Sequence, residues 1–145
     1  VIGLYIFYNL IYAIFAFPLG ILADKIGLKK MLLFGIAIFS VVYFGMGFNS
    51  SSIVFIGLFS LYGIYAAASE GVSKAWISNI TDKKDTATAI GTYAAFQSIF
   101  TMLASSLAGL IWYQFGANTT FIVTGISSVF IFLYFILIPK DKAEK

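Results

Sequence analysis

The chain has 145 residues, of which 61% are hydrophobic, 19% aromatic and only 10% charged, against about 25% charged in a soluble domain. One soluble core cannot bury so many apolar side chains, so the composition indicates an all-α integral membrane protein surrounded by lipid. The net charge of +3 comes from lysines beside apolar runs, which argues against nucleic-acid binding, and the absence of cysteine and histidine removes disulfides and the commonest metal ligands.

Five apolar segments are long enough to cross a bilayer, which takes about 20 helical residues. They lie near residues 1–23, 31–48, 53–79, 87–113 and 119–138. The first begins inside an apolar run at Val1, as expected for a piece of a larger protein, and Pro18 is expected to bend it. The third and fourth are long enough to tilt or to project from the bilayer. We expect a transmembrane bundle over residues 1–139 and a polar tail over residues 140–145.

The fourth segment carries a stripe of small residues at steps of three or four. Its members are Gly91, Ala94, Ser98, Thr101, Ser105 and Ala108. Close backbone approach drives helix association in lipid, so this stripe favours a packing seam. A ligand-binding surface is the alternative interpretation.

The lysines alternate between the connections. Eight of the nine fall in "DKIGLKK", "TDKKDT" and the tail "PKDKAEK", whereas "FNSSS" and "YQFGANTT" contain none. By the positive-inside rule, this pattern places the N-terminal end outside and the C-terminal tail in the cytoplasm. The expected location is a bacterial inner membrane.

The first connection lies within "GILADKIGLKK", residues 20–30, and is expected to form a tight cytoplasmic turn. Gly20 is expected to let backbones approach closely, and Gly27 can adopt a positive φ angle that reverses the chain. Three lysines are expected to hold the turn at the anionic inner leaflet, namely Lys25, Lys29 and Lys30.

Asp24 in this turn needs a separate explanation, because acidic residues contribute little to topology. Its carboxylate is expected to accept hydrogen bonds from the N-terminal turn of the fourth helix near Thr86, where free N–H groups and the helix dipole favour an anion. Lys29 or Lys30 is then expected to lie close to Glu70.

The turn contains the pattern G-x-L-A-D-K-x-G-x-K-K, formed by Gly20, Leu22, Ala23, Asp24, Lys25, Gly27, Lys29 and Lys30. This pattern resembles the cytoplasmic loop signature of the major facilitator superfamily, roughly G-x-L-A-D-[RK]-x-G-[RK]-[RK]. It departs at Leu28, where that family usually has a basic residue.

Later segments resemble the same superfamily. "SEGVSKAWISNI" and "TATAIGTYAAF" are similar to segments of its C-terminal halves, although the Arg that often precedes T-A is absent, and "AGLIWYQFG" is similar to the end of the eleventh helix. The resemblance implies that the five spans are helices eight to twelve of a twelve-helix transporter. They would form a partial six-helix bundle, without helix seven and the N-terminal half.

Glu70 and Lys74 are the only charged residues predicted inside a span. They lie one helical turn apart on one face, with Glu before Lys, which favours a charge pair. The pair is predicted to be a latch, in which Lys74 reaches the interface and the pair holds helix ends against the first turn. Charges in the membrane also indicate function, so the alternative is a substrate or proton site.

The resemblance implies a substrate cavity lined by helices eight, ten and eleven. The candidate residues on these helices are Tyr5, Asn9, Tyr62, Tyr65, Tyr93 and Gln97. From the residues alone, Asn9 can instead make an interhelical hydrogen bond worth roughly 1 kcal/mol. Tyr62 and Tyr65 can instead be ordinary packing or lipid-facing residues.

The sequence does not predict an enzyme, because it has no nucleophile–base–acid set and no phosphate-binding glycine loop. No metal or cofactor is expected. Residues and resemblance together predict part of a secondary transporter that moves a small solute by alternating access. Its candidate coupling ion is a proton, and its expected partner is the missing N-terminal half. The alternative is a small multi-spanning interaction protein without transport of its own.

Overall fold

The computed structural model describes residues 2–49 and 51–137, which fold into five α-helices. These are α1 (Ile2–Ile26), α2 (Leu28–Phe48), α3 (Ser52–Ile80), α4 (Thr86–Phe115) and α5 (Ala117–Leu137). All five are long and apolar enough to cross a membrane, which confirms the predicted all-α, five-span architecture. The predicted tail, residues 140–145, lies outside the described residues.

The helices extend slightly further than the apolar runs that predicted them. α1 ends at Ile26 instead of residue 23, because Asp24 and Lys25 stay helical beyond the apolar run, and it continues through Pro18 without interruption. With 29 and 30 residues, α3 and α4 are about 44 and 45 Å long at the α-helical rise. Both exceed a hydrocarbon layer of about 30 Å, so they tilt or project from the bilayer.

Two of the connections consist of a single glycine. Gly27 joins α1 to α2 with φ of 96°, and Gly116 joins α4 to α5 with φ of 84°. Each closes the preceding helix by donating its N–H at 2.9 Å, Gly27 to the carbonyl of Ala23 and Gly116 to that of Trp112. A side chain is strained at such φ angles, so glycine permits the one-residue turn. The predicted role of Gly27 is confirmed.

The packed part of the bundle centres on α2 and α3. α2 packs along α3 and α5, and α3 also packs along α1. A first buried cluster joins α1, α2 and α3 near the Gly27 turn and contains Leu19, Ala23, Leu28, Met31, Ala67, Ala68 and Val72. A second lies toward the other end of α2 and contains Val42, Met46 and Leu58. Leu28, the departure from the loop signature, is therefore a core residue of this bundle.

The contact between α2 and α5 is close and partly polar. The hydroxyls of Ser40 and Ser128 share a buried hydrogen bond of 2.7 Å between the two helices. A β-carbon placed on Gly47 would lie 2.8 Å from the Ile122 side chain, so glycine allows the helices to approach. Small and hydroxylated residues therefore join α5 to the packed part, as is typical of helix pairs in lipid.

α4 differs from the other helices because it has no buried residue. It contacts only α3 and α5 among the described helices, and a β-carbon on Gly91 or Gly109 would meet nothing within 4 Å. Nearly all of its small-residue stripe is exposed, with only Ala108 half-buried. The predicted packing seam is therefore wrong for contacts within residues 2–49 and 51–137, because no described helix lies against that face.

Candidate functional site

Asp24 does not lie where the sequence predicted. α1 and α4 do not contact each other in the described part of the chain, so the predicted bond to the N-terminal turn of α4 is wrong. The reason is that α1 packs along α3, and it is α3 that contacts α4. The α4 N-terminus also has an acid of its own, since Asp85 occupies the N-cap position. Asp24 is exposed instead, at a pocket that also includes Gly20 and Gly71.

The other loop-signature residues divide into buried and exposed positions. Ala23 and Lys29 are buried, whereas Leu22, Lys25 and Lys30 are exposed. Among the described residues a β-carbon on Gly20 would meet nothing within 4 Å, so the predicted close backbone approach at Gly20 is not seen there.

Glu70 pairs with a tyrosine from another helix. Its Oε2 accepts a hydrogen bond of 3.3 Å from the Tyr12 hydroxyl on α1. Within the described ranges no hydrogen bond joins its carboxylate to Lys74 or Lys30, so the predicted charge pair does not form there. The physical reason is that α1 runs beside α3 and presents a hydroxyl donor, whereas Lys74 is exposed and its long stem can carry the charge toward water.

Glu70 is far enough from the helix ends to sit at membrane depth. It lies four residues from the midpoint of α3, Ala66, which corresponds to about 6 Å along the axis. A hydrocarbon layer of about 30 Å extends well beyond this position. The carboxylate is thus placed where a charge requires a functional or structural partner.

Two adjoining pockets bring the predicted cavity residues together. The α1 pocket, of about 410 Å³, lies between α1 and α3 and includes Tyr5, Asn9 and Tyr12. The α4 pocket, of about 240 Å³, reaches α2 and α4 and includes Tyr65, Tyr93 and Gln97. The two pockets share three lining residues, Tyr8, Tyr62 and Glu70. All six residues proposed from the sequence therefore line one continuous region around Glu70.

Tyrosine rings form one side of this region. The ring centroids of Tyr8 and Tyr62 are 5.4 Å apart, and those of Tyr62 and Tyr65 are 5.5 Å apart. Phe39 and Tyr43 on α2 lie behind them, with Phe39 4.7 Å from Tyr65 and Tyr43 6.4 Å from Tyr62. These separations are typical of interacting aromatic pairs, so Tyr62 and Tyr65 are held in place from behind.

Several polar groups of the pockets are already occupied by their own helices. The Asn9 amide nitrogen donates to the Tyr5 carbonyl at 2.8 Å, one turn earlier on α1. Among residues 2–49 and 51–137 it makes no interhelical hydrogen bond of the kind that the sequence left open. Ser69 and Ser73 on α3 likewise donate at 2.9 Å to the carbonyls one turn before them. Their oxygens can still accept hydrogen bonds, but their protons are used.

Tyr8, Ser69 and Ser73 are polar lining residues that were not among the sequence candidates. Tyr8 lies three residues after Tyr5, so helical spacing alone places it on the candidate face of α1. Ser69 and Ser73 lie about one and two turns after Tyr65 on α3, so the same spacing would have found them.

The comparisons with known proteins agree with this architecture. A family model described as the Major Facilitator Superfamily matches residues 1–145 of the chain. The chain belongs to the major facilitator superfamily. It is therefore an integral, multi-pass membrane protein of a superfamily whose members move small-molecule substrates across membranes.

Three curated relatives illustrate the similarity. An uncharacterised MFS-type transporter of Methanocaldococcus jannaschii is 40% identical over 111 residues, which cover 77% of this chain and 28% of the relative. An uncharacterised transporter of Buchnera aphidicola subsp. Schizaphis graminum is 26% identical over 90% of this chain and 33% of its own length. Multidrug resistance protein Stp of Mycobacterium tuberculosis is 32% identical over 80% of this chain and 22% of its own length.

This member of the major facilitator superfamily thus spans between 22% and 33% of the length of the curated relatives it matches.

Proposed function

We propose that this chain is part of a secondary active transporter that moves a small solute by alternating access. The observation that carries the proposal is the Glu70 region, in which a carboxylate, an amide and several tyrosines line adjoining pockets inside apolar helices. Polar and ionisable groups at membrane depth are costly, and they mark solute pathways when they line a cavity. Family membership supports the same function.

The transporter works with further helices, which we identify with helix seven and the N-terminal half of a twelve-helix protein. Two observations support this. The chain covers a third or less of each relative, and α4 keeps its small-residue face uncovered. Rocking of one half against the other around the Glu70 region would expose it to each side of the membrane in turn.

The Gly27 end of the bundle faces the cytoplasm. Lys25 and Lys30 lie at this end with Lys83 and Lys84 of the α3–α4 link, whereas the links at the other end carry no charge. Positive charge accumulates on the cytoplasmic side, and the anionic inner leaflet of a bacterial inner membrane attracts it. The same rule places residues 140–145 in the cytoplasm.

The solute is amphipathic. One relative is named a multidrug resistance protein, and the tyrosine rings beside Glu70 offer large apolar surfaces next to a few polar groups. Pockets of this kind bind solutes mainly by apolar contact and orient them with a small number of polar contacts.

Cysteine labelling of the full-length protein tests alternating access without knowledge of the solute. Gln97→Cys is introduced as the single reactive cysteine and treated with a membrane-impermeant maleimide in right-side-out and inside-out vesicles. We expect labelling from both sides, in a ratio that an imposed ion gradient changes, because each conformation opens the pocket to one side.

Two positions in the links between helices, each of which stays on one side of the membrane in every conformation, act as controls in the same vesicles. Ser51→Cys is expected to label only from outside and Lys84→Cys only from the cytoplasmic side. If Gln97→Cys labels from one side under every gradient, the chain belongs instead to an interaction protein without transport. If Ser51 and Lys84 exchange sides, the proposed orientation is wrong.

A further inference from the structure

We propose that the Glu70 region binds an organic cation, held by the carboxylate and by the faces of the surrounding tyrosine rings. The inference rests on the proposed function, because it assigns a chemical class to the solute that the transporter carries. Three properties of the region support an organic cation: its negative charge, its aromatic faces and the absence of a cationic side chain from its described lining.

The first property is a negative charge in the lining. Glu70 is the only charged side chain that lines either pocket within residues 2–49 and 51–137. Its carboxylate accepts a hydrogen bond from the neutral Tyr12 hydroxyl, and Lys74 lines neither pocket. A carboxylate at membrane depth is costly without a positive partner. A cationic solute would supply that partner each time it binds.

The second property is the set of aromatic faces beside the carboxylate. Tyr8 and Tyr62 line both pockets together with Glu70, and Tyr65 lines the α4 pocket. A cation is attracted to an aromatic face when it lies within about 6 Å of the ring centroid. Because neighbouring centroids here are 5.4 and 5.5 Å apart, one cation can contact more than one ring while it pairs with Glu70.

The third property is the absence of a cationic side chain from the described lining, which disfavours an anionic solute. An anion would meet the Glu70 charge with no lysine among the described lining residues to offset it. A bulky cation with apolar substituents satisfies the region best, and the pocket volumes of about 410 and 240 Å³ suit a drug-sized molecule.

A pair of probes with the same shape and opposite charge tests this inference on the unmodified protein. Tetraphenylphosphonium is a cation and tetraphenylborate is an anion of nearly the same size. Binding of each is measured by titration calorimetry with the purified full-length transporter in detergent, with protein-free micelles as the blank. We expect the cation to bind with a dissociation constant at least about 100-fold lower than that of the anion, since Glu70 attracts one and repels the other. Equal or tighter binding of the anion overturns the inference.

Variants locate the cation at Glu70. Glu70→Gln is expected to weaken tetraphenylphosphonium binding at least about tenfold, because it removes the charge at nearly constant volume. Asp82→Asn is the matched control, since it removes an exposed acid of the α3–α4 link outside the pockets. An unchanged dissociation constant in Glu70→Gln, or an equal loss in Asp82→Asn, overturns the site.

The aromatic contribution is tested in the same assay. Tyr62→Leu is expected to weaken cation binding by about threefold to thirtyfold, whereas Tyr62→Phe keeps most of the affinity because the ring remains. Tyr134→Leu, an exposed ring on α5 outside both pockets, is the control and is expected to have no effect. Full affinity in Tyr62→Leu would show that the ring does not contact the cation and would overturn the aromatic part.

Failure of this inference and failure of the proposed function give different results. If Gln97→Cys labels from both sides but tetraphenylphosphonium does not bind, the transporter stands and the cation assignment is wrong. If the cation binds at Glu70 but Gln97→Cys labels from one side only, the site stands and alternating access is wrong.

Discussion

α3 and α4 have nearly the same length and a similar supply of small residues, yet their surroundings differ completely. α3 buries six residues, among them Gly63 and Ala66 to Ala68, against α1 and α2. α4 buries none, although Gly91 and Ala94 begin an equally regular stripe. The comparison teaches that small residues mark the face a helix can pack, whereas the neighbour that packs there has to be supplied by the rest of the fold.

The strongest test of this contrast adds the same side chain to a glycine of each helix. A β-carbon on Gly63 would lie 2.9 Å from Ile11 and 3.0 Å from the Tyr8 carbonyl, whereas on Gly91 it would meet nothing within 4 Å. We expect Gly63→Val to lower the free energy of unfolding by about 3 kcal/mol, because a backbone carbonyl cannot move aside. Gly91→Val is expected to cost clearly less, because its side chain meets no atom of the described helices.

Thermal unfolding of both full-length variants in detergent measures the difference. A loss in Gly91→Val as large as that in Gly63→Val would show that helices outside this chain press closely on α4. The contrast would then be a property of these five helices alone and not of the whole transporter.

A second pair of variants removes the same side chain from each region. Met31 on α2 is 0% exposed, whereas Met102 on α4 is 62% exposed. We expect Met31→Ala to cost about 2 kcal/mol, at the low end of core truncations, because lipid is itself apolar and mainly contacts are lost. Met102→Ala is expected to be nearly neutral in the same unfolding assay, and equal losses would contradict the assignment of α4 as unpacked.

A smaller effect is expected for the polar contact between α2 and α5. The buried hydrogen bond of 2.7 Å between Ser40 and Ser128 is expected to give a coupling energy of about 1 kcal/mol in a double-mutant cycle with alanine. Ser106→Ala is the control, because that exposed hydroxyl of α4 donates only to its own helix. A coupling energy near zero would show that this bond does not hold α5 in place.

Asp24→Asn is expected to have the smallest effect on stability and a clear effect on conformation. The exposed carboxylate makes no bond within the described ranges, so the free energy of unfolding should change by less than about 0.5 kcal/mol.

The conformational effect is measured by Gln97→Cys labelling in the Asp24→Asn background. If Asp24 contacts the second half of the transporter in one conformation, the ratio of labelling from the two sides should change by about tenfold, which corresponds to the loss of one charged hydrogen bond. Membrane insertion, measured by protein amount, serves as the reference, and an unchanged labelling ratio contradicts a role for Asp24 in the conformational change.

Much of the fold was predictable because the bilayer imposes a length on each span. All five spans appear close to their predicted bounds, and Gly27 reverses the chain as expected. The largest errors lie at the end of the first span and the start of the second. There Asp24, Lys25 and Lys29 were placed in a loop, although charged residues can continue a helix once it leaves the hydrocarbon.

The candidate site was predictable along each helix and unpredictable between helices. Helical spacing grouped Tyr5 with Asn9 on α1, and both line one pocket. The sequence could not show that α3 separates α1 from α4, which removes the expected partner of Asp24. Nor could it show that Tyr12 would reach Glu70, because that contact depends on the parallel register of two helices far apart in the chain.

The one-residue links at Gly27 and Gly116 constrain how the helices can move. One residue spans at most about 3.6 Å, so the facing ends of α1 and α2 stay at the same depth in the membrane, and so do those of α4 and α5. Neither member of a pair can slide along its axis past the other. A conformational change therefore has to move each pair as one hairpin, with its bending confined to the glycine.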